Sequence, residues 1–311
     1  MRKFFLIIVF ILLSSGVIGY FYFDYKFTPP ENQLKVSSHQ DTLTIKWVSN
    51  QDSEYAALLL PVMLDGISDT FYLQFDLGAH STLFHEKAIQ SISQKFSNFK
   101  ISNNTEEPPF QFKLGSILVS MPEMKRINYG KAVEWNDSSV NIIGTLGSDI
   151  MEHKVIELDF KHHFVRFTNA FPTEITKEFI QDFEFNKRRV MLNGQVNDED
   201  TQFYFDSGSS AFDLITDKKK WENLARSGAD ESTYKVNSWG KSLEVHSIAT
   251  DAIIKFGEQR IFLNEVTYIE GTSIAQNLLM RLSGMGGMIG NRLFMGKILI
   301  LDASNQKFAV R

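Results

Sequence analysis

The sequence contains no cysteine and only 7 prolines in 311 residues. The absence of cysteine excludes disulfide bonds, thiolate metal sites and a cysteine nucleophile. The chain also lacks an excess of positive charge, since 32 Lys and Arg residues against 37 Asp and Glu residues give a formal net charge of −5. Nucleic-acid-binding proteins normally carry a basic surface, so this balance argues against a nucleic-acid partner. At 43% hydrophobic residues, the chain is long enough for about two folded domains.

The longest uncharged segment runs from Phe4 to Phe23, directly after Arg2 and Lys3. A helix of that length spans about 30 Å, one hydrocarbon core, and aromatic residues at its end are typical of a membrane interface. The sequence therefore predicts a signal anchor over residues 1–24, a transmembrane helix that holds an exported body. The alternative is a cleaved signal peptide with its core at Phe4–Leu13, which leaves a secreted body. An exported body without cysteine favours a bacterial periplasm or cell surface.

The segment that follows, residues 25–54, is polar and contains Pro29 and Pro30. This composition predicts a stalk with at most a short strand at Thr42–Val48.

The remaining chain contains a large internal repeat, in which four sequence blocks occur twice in the same order. Residues 62–66 return at 190–194, and the segment that ends in Asp76-Leu77-Gly78-Ala79 returns as the one that ends in Asp206-Ser207-Gly208-Ser209. Residues 144–149 then return at 287–292, and 154–160 at 297–303. The repeat predicts two similar lobes, at residues 55–172 and 173–311. Short runs of β-branched and aromatic residues between glycine turns predict a mainly β protein. Short helices are expected at 86–96, 173–183, 218–227 and 273–282.

Each repeat contains an apolar strand that ends at an aspartate, and a glycine stands two residues after that aspartate. Glycine permits a sharp turn, so the carboxylates of Asp76 and Asp206 are expected at strand ends rather than inside the sheet. If the lobes face each other, the carboxylates meet. Two such groups cannot both ionise, and a pair that shares one proton can act as acid and base on a water molecule.

These motifs resemble those of the pepsin-like and retropepsin-like aspartic proteases. The sequence F-D-S-G-S-S at Phe205–Ser210 is similar to the family's aspartate signature, and T-L-G and M-I-G, which end at Gly147 and Gly290, are similar to its hydrophobic–hydrophobic–Gly motif. The resemblance covers roughly residues 56–311. It implies an all-β, bilobal fold of two related β-barrel lobes with a cleft between them.

The resemblance also implies an aspartic endopeptidase that hydrolyses an extended peptide or protein substrate without a cofactor or metal. Both lobes lie in one chain, so a monomer is expected. The catalytic residues would be Asp76 and Asp206. The supporting loops would contain Leu77, Gly78, Ala79, Ser207, Gly208, Ser209, Gly147 and Gly290.

Two positions depart from the family's pattern. Leu77 stands where the family has Thr or Ser, whose hydroxyl bonds across to the opposite lobe; leucine cannot make that bond. In the region where the family has a substrate-covering hairpin, the first lobe has no tyrosine, while Trp239 of the second lobe lies in a predicted hairpin turn between Tyr234 and Val245. Trp239 is either a substrate-binding residue or a packed edge aromatic. Leu77 keeps open a second function, a catalytically degenerate relative that binds peptides or serves as a structural envelope component.

Overall fold

The computed structural model describes residues 28–51, 53–99, 101, 108–136, 138–238, 241–271 and 285–311. Within that part of the chain, no helix has the length and apolar character needed to cross a membrane. The predicted anchor at residues 1–24, Trp239 and the predicted helix at 273–282 lie outside the described residues, and the strands and helices given below are those of the described residues. Residues Gln33–Arg311 form one compact unit.

The first half of this unit, residues 33–172, contains twelve short strands and one α-helix. The strands are β1 (Lys35–Val36), β2 (Asp41–Thr44), β3 (Lys46–Val48), β4 (Ala57–Leu64), β5 (Thr70–Phe75), β6 (Leu83–His85), β7 (Phe110–Leu114), β8 (Ile117–Met121), β9 (Arg126–Ile127), β10 (Ile142–Leu146), β11 (Val155–Asp159) and β12 (Phe164–Thr168). The helix α1 (Glu86–Lys95) follows β6, and a 3-10 helix covers Ser148–Glu152.

In the second half, the described residues of 173–311 form another twelve strands and one α-helix. The strands are β13 (Ile180–Asn186), β14 (Arg189–Val196), β15 (Glu199–Phe205), β16 (Leu214–Thr216), β17 (Glu231–Ser238), β18 (Lys241–Ala249), β19 (Ile253–Phe256), β20 (Gln259–Phe262), β21 (Glu265–Glu270), β22 (Gly287–Ile289), β23 (Ile298–Asp302) and β24 (Lys307–Val310). The helix α2 (Lys218–Leu224) follows β16, and 3-10 helices cover Lys177–Phe179 and Asn291–Phe294.

The internal repeat of the sequence corresponds to a repeated strand arrangement. In the first half, β4 pairs antiparallel with β5, β5 parallel with β10, and β10 antiparallel with β6. In the second half, β14, β15, β22 and β16 pair in the same order and with the same directions. The prediction of a mainly β protein with two related halves is confirmed by these pairings.

Both halves contribute strands to one continuous sheet. The strand order β13-β24-β23-β11-β12-β2 places β11 of the first half beside β23 of the second, with Ile156 opposite Leu301. The buried rings of Phe160 and Phe294 stack beneath this junction at 6.3 Å. Apolar side chains such as those of Ile156 and Leu301 are buried at the junction together with the acidic side chain of Glu157, and burial of the apolar surface stabilises the joined sheet.

Two sequence-based predictions differ from the structure. Residues 35–48 of the predicted stalk form strands that pair with β8, β12 and β4, because alternate side chains such as Leu43 are buried although the composition is polar. Of the predicted helix at 173–183, only Lys177–Phe179 is helical, as a short 3-10 helix, and the chain is extended after Phe179. There β13 begins and is paired on both edges, by β14 and β24, and this tertiary pairing outweighs local propensity.

The two halves differ in the segment that follows the α-helix. This segment leads to the hairpin β7–β8 in the first half and to the hairpin β19–β20 in the second. In the second half this interval holds the long hairpin β17–β18, in which Tyr234 lies opposite Val245 as predicted. In the first half only residues 96–109 connect α1 to β7. The longest hairpin arms of the described chain therefore belong to the second half.

Candidate active site

The two aspartates follow directly after equivalent strands, Asp76 after β5 and Asp206 after β15. The backbone N–H of Asp76 donates to the carbonyl of Leu146 on β10 at 3.0 Å, and that of Asp206 donates to Ile289 on β22 at 2.9 Å. A neighbouring parallel strand thus fixes the end of each aspartate strand. We call residues 76–79 the first Asp loop and residues 206–209 the second Asp loop.

Within each loop the chain turns back on its own carboxylate. The Gly78 N–H donates to Oδ1 of Asp76 at 2.9 Å, and the Gly208 N–H donates to Oδ1 of Asp206 at 2.8 Å. The Ser209 hydroxyl also donates to Oδ2 of Asp206 at 2.8 Å, whereas Ala79 offers Asp76 only its backbone N–H, at 3.1 Å. Each carboxylate thus has two donors from its own loop, and one of the two donors to Asp206 is a hydroxyl.

The loops interlock through their glycines. A Cβ atom on Gly78 would lie 2.3 Å from Oδ1 of Asp206, and one on Gly208 would lie 2.5 Å from Cγ of Asp76. Each carboxylate therefore lies against the backbone of the opposite loop, which only glycine permits. The structure thus brings together the two acids that the sequence predicted from separate repeats.

The electrostatics of the pair follow from this contact. Asp76 is only 7% exposed. Burial, the charge of Asp206 and a hydrogen bond with Asp206 raise the pKa of Asp76 to about 8. Two carboxyls in hydrogen-bond contact share a proton, because desolvation and mutual repulsion oppose ionisation of both. The pair can hold one acid and one base in the same place.

Ser207 provides one half of a bond across the two halves. Its hydroxyl accepts from the Leu77 N–H at 2.8 Å and donates to the Phe75 carbonyl at 3.0 Å. The mirror-image bonds would need a hydroxyl at position 77, where the Leu77 side chain is instead fully buried in the hydrophobic core. Leu77, which departs from the family's Thr or Ser, therefore packs in the core instead of bonding across the halves.

The predicted glycines of the second motif lie behind the Asp loops. A Cβ on Gly147 would approach the Ala79 carbonyl to 2.8 Å, and one on Gly290 would approach the Ser209 carbonyl to 2.0 Å. The residue after each glycine is also tied in: Ser148 donates its N–H to the Ala79 carbonyl at 2.8 Å, and Asn291 donates through Nδ2 to the Ser207 carbonyl at 3.0 Å. The segments at 147–148 and 290–291 thus pack against the backbone of the two Asp loops and hydrogen-bond to it.

Tyr204 is a site residue that the motif comparison missed. Its hydroxyl donates to the Gly78 carbonyl at 3.2 Å, across the two halves. Burial and the charges of Asp206 and Asp76 raise the pKa of the Tyr204 phenol. A signal was present in the sequence, because residues two apart on a strand share a face, so Tyr204 shares the face of Asp206.

Arg188 was also missed, and it connects the halves beside the site. It lies with Lys187 in the tight turn between β13 and β14, where both residues have positive φ values, 52° and 58°. The buried guanidinium bonds Glu152 at 2.7 Å and the His80 carbonyl at 3.2 Å, while the Ser148 hydroxyl donates to the Arg188 carbonyl at 2.8 Å. A Lys-Arg pair at a turn does not predict such contacts with the other half, so the sequence contains no signal for Arg188.

Within the described residues, one group of potential metal ligands lies together: Glu244, His246 and Glu270. It belongs to β18 and β21 of the second half. The Nδ1 atom of His246 lies 2.6 Å from Glu231, and its Nε2 atom lies 3.4 Å from Glu244. The His246 ring therefore lies between two carboxylates, one on each ring nitrogen.

In comparisons with known proteins, no family model and no curated protein matches the chain. Among solved structures, the chain is similar to an aspartic proteinase from Irpex lacteus, at 10% sequence identity and a TM-score of 0.47, with 88% of this chain and 97% of that chain covered.

Proposed function

We propose that this protein is an aspartic-type endopeptidase that activates a water molecule between Asp76 and Asp206. One observation carries the proposal: the two Asp loops interlock so that each carboxylate lies against the other loop's glycine. Buried acids that share a proton are costly to a fold, and hydrolytic sites are where such pairs are of use.

The surroundings of the two acids suggest their roles. We assign the shared proton to the buried Asp76, whose pKa is raised, and the role of general base to Asp206. Asp206 takes a proton from water as the water oxygen attacks the scissile carbonyl carbon, and Asp76 gives its proton to the carbonyl oxygen. When the gem-diol collapses, the C–N bond breaks, the amine leaves with the proton from Asp206, and Asp76 regains a proton from a diol hydroxyl.

A peptide substrate in extended form fits the surroundings of the first half's aspartate. A cavity of about 620 Å³ lies beside β5 and is lined in part by Gln74, His85, Tyr129 and Val133. Gln74 is two residues before Asp76, so a substrate at the pair reaches this cavity along the same strand. Its wall also contains Lys87, Lys131 and Glu134, so it offers apolar, amide and charged groups to a peptide side chain.

The test is hydrolysis of an unfolded protein substrate between pH 3 and pH 7. We expect Asp206→Asn and Asp76→Asn each to lower kcat at least about a thousandfold, since either change removes the shared-proton pair. Asp200→Asn is the matched control, because Asp200 is an exposed residue of the same strand bonded only to Gln195. Hydrolysis by Asp206→Asn at the wild-type rate would refute the proposal.

The second candidate function is peptide binding without turnover, and the observation that favours it is the apolar Leu77. A transition-state mimic with a hydroxyl in place of the scissile carbonyl distinguishes the two functions, since it needs a well-placed pair of acids. Tight binding of the mimic together with turnover would exclude the binding-only function. Binding of plain peptides with neither turnover nor preference for the mimic would establish it.

The proposal includes an exported, membrane-anchored location, which depends on the uncharged run Phe4–Phe23 and the preceding Arg2 and Lys3. We expect the full chain in a bacterial host to fractionate with membranes and its body to be digested by protease added outside the membrane. A chain that begins at residue 25 should stay in the soluble fraction. Release of the body with a new N-terminus would instead identify a cleaved signal.

A further inference from the structure

The bonds between the two Asp loops are one-sided. Ser207 and Tyr204, both from the second half, bond the backbone of Phe75, Leu77 and Gly78 in the first half. Among the described residues, no hydrogen bond runs from a first-half side chain to the backbone of residues 205–208. Hydrogen bonds from side chains of the second half thus hold the first Asp loop, and the Leu77 side chain contributes packing only.

The position of Tyr204 suits it to this role. On β15 its neighbours are Met191 of β14 and Met288 of β22, so apolar strands enclose the ring on both sides and only the hydroxyl reaches the first Asp loop. The acceptor, the Gly78 carbonyl, belongs to the residue whose N–H bonds Asp76 and whose Cα lies against Asp206. A bond to that peptide therefore fixes the loop at the point where both carboxyls touch it.

We infer that Tyr204 is a positioning residue for the aspartate pair: its hydroxyl gives the first Asp loop a second bond to the other half, in place of the bond that position 77 cannot make to the second Asp loop. The inference rests on the proposed function. Tyr204 acts through Gly78, and the alternative is that the phenol serves only as a wall for substrate. A positioning role changes kcat, because small displacements of reacting groups affect the transition state, whereas a wall changes KM.

The experiment compares Tyr204→Phe, which removes only the hydroxyl, with Tyr268→Phe. Tyr268 is the matched control, since its hydroxyl bonds Glu270 at 3.0 Å within the second half. We expect Tyr204→Phe to lower kcat about tenfold to a hundredfold with KM within about twofold, and Tyr268→Phe to keep both constants. An unchanged kcat, or a change confined to KM, would overturn the inference.

A rescue tests the replacement itself. In the Tyr204→Phe background, Leu77→Thr supplies a hydroxyl at position 77, and Leu77→Val has the same shape without the hydroxyl. We expect the Thr variant to recover most of the lost kcat and the Val variant to recover none. Equal activity of the two double variants would overturn the proposed replacement.

Hydrogen exchange separates this inference from the proposed function. We expect the amides of residues 75–79 to exchange faster in Tyr204→Phe, and the protection to return with Leu77→Thr but not with Leu77→Val. If the wild type shows no turnover, the proposed function fails, but this exchange pattern still supports the positioning of the first Asp loop by Tyr204. Unchanged exchange in Tyr204→Phe would refute that positioning role whatever the activity.

Discussion

At the scale of single residues, the aspartate pair imposes a stability cost that depends on pH. The folded-state pKa of Asp76 lies well above the ordinary value of an aspartate, because the folded protein buries the carboxyl beside Asp206. The folded state therefore binds this proton more tightly than the unfolded state. The resulting stabilisation is fully present below about pH 4 and is lost as pH rises toward the raised pKa.

Asp76→Asn removes this titration. We expect the free energy of unfolding of the variant, minus that of the wild type, to increase between pH 4 and pH 8 by an amount on the order of a few kcal/mol. Urea unfolding at several pH values measures the difference, and Asp200→Asn is the control. A difference that stays constant with pH would show that the two carboxyls do not interact in this way.

A second prediction compares two neighbours in the second Asp loop. Gly208→Ala introduces a Cβ 2.5 Å from Cγ of Asp76, so the pair cannot keep its contact and activity should fall at least about a hundredfold. Ser209→Ala removes one hydroxyl donor and gives the loop the alanine that the first loop already has, so a loss of about tenfold or less is expected. Steady-state rates on one substrate measure both, and the reverse order would contradict the interlocked geometry.

At the scale of elements, the turn between β13 and β14 docks one half onto the other. The Arg188 side chain is 5% exposed and bonds Glu152 and the His80 carbonyl, next to the first Asp loop. The same residue adopts a left-handed backbone conformation, which costs free energy unless tertiary contacts offset it. The ion pair and hydrogen bonds provide those contacts.

Arg188→Met should therefore lower the free energy of unfolding by about 2 kcal/mol, because the buried guanidinium's ion pair with Glu152 and its hydrogen bond to the His80 carbonyl are lost. Arg189→Met is the matched control. Arg189 is the exposed neighbour and takes part in no ion pair among the described residues, so a change within about 0.5 kcal/mol is expected. Chemical denaturation measures both, and equal effects would contradict the docking role.

At the scale of the whole molecule, the two halves are joined by a shared sheet. The pairing of β11 with β23 crosses between them, and the buried Glu157 bonds Arg166 at 3.1 Å in one half and faces Arg311 at 3.8 Å in the other. Separation would expose long strand edges and leave Glu157 with one partner fewer. Neither half is expected to be a self-sufficient domain.

We predict that residues 33–172 and 173–311, produced separately, each lack cooperative unfolding, and that they recover it when mixed. The reason is that the central sheet forms only from both halves. Circular dichroism against denaturant measures cooperativity, with the joined chain from residue 33 as the control. Cooperative unfolding of either half alone would show that the shared sheet is not needed for stability.

Much of the fold was predictable because it depends on local patterns. Alternation of apolar residues indicated strands such as β4, β5 and β7 with ends close to those observed, and the repeated Asp-x-Gly blocks indicated two related halves. The short strand predicted at Thr42–Val48 corresponds to β2 and β3, whereas β1 was missed and β13 was misassigned as part of a helix. The residues of β1 and β13 are polar or locally helical, and only pairing with distant strands makes them extended.

The sequence by itself determined which two acids matter, because Asp76 and Asp206 each stand at the same point of a repeated pattern that needs glycine two residues later. Tertiary structure alone decided how they are held. Tyr204 meets Gly78, Ser207 meets Leu77, and Arg188 meets Glu152, pairs separated by 126, 130 and 36 positions in the chain. No local pattern encodes such contacts, since each joins residues that are distant in the sequence and meet only when the two halves pack together.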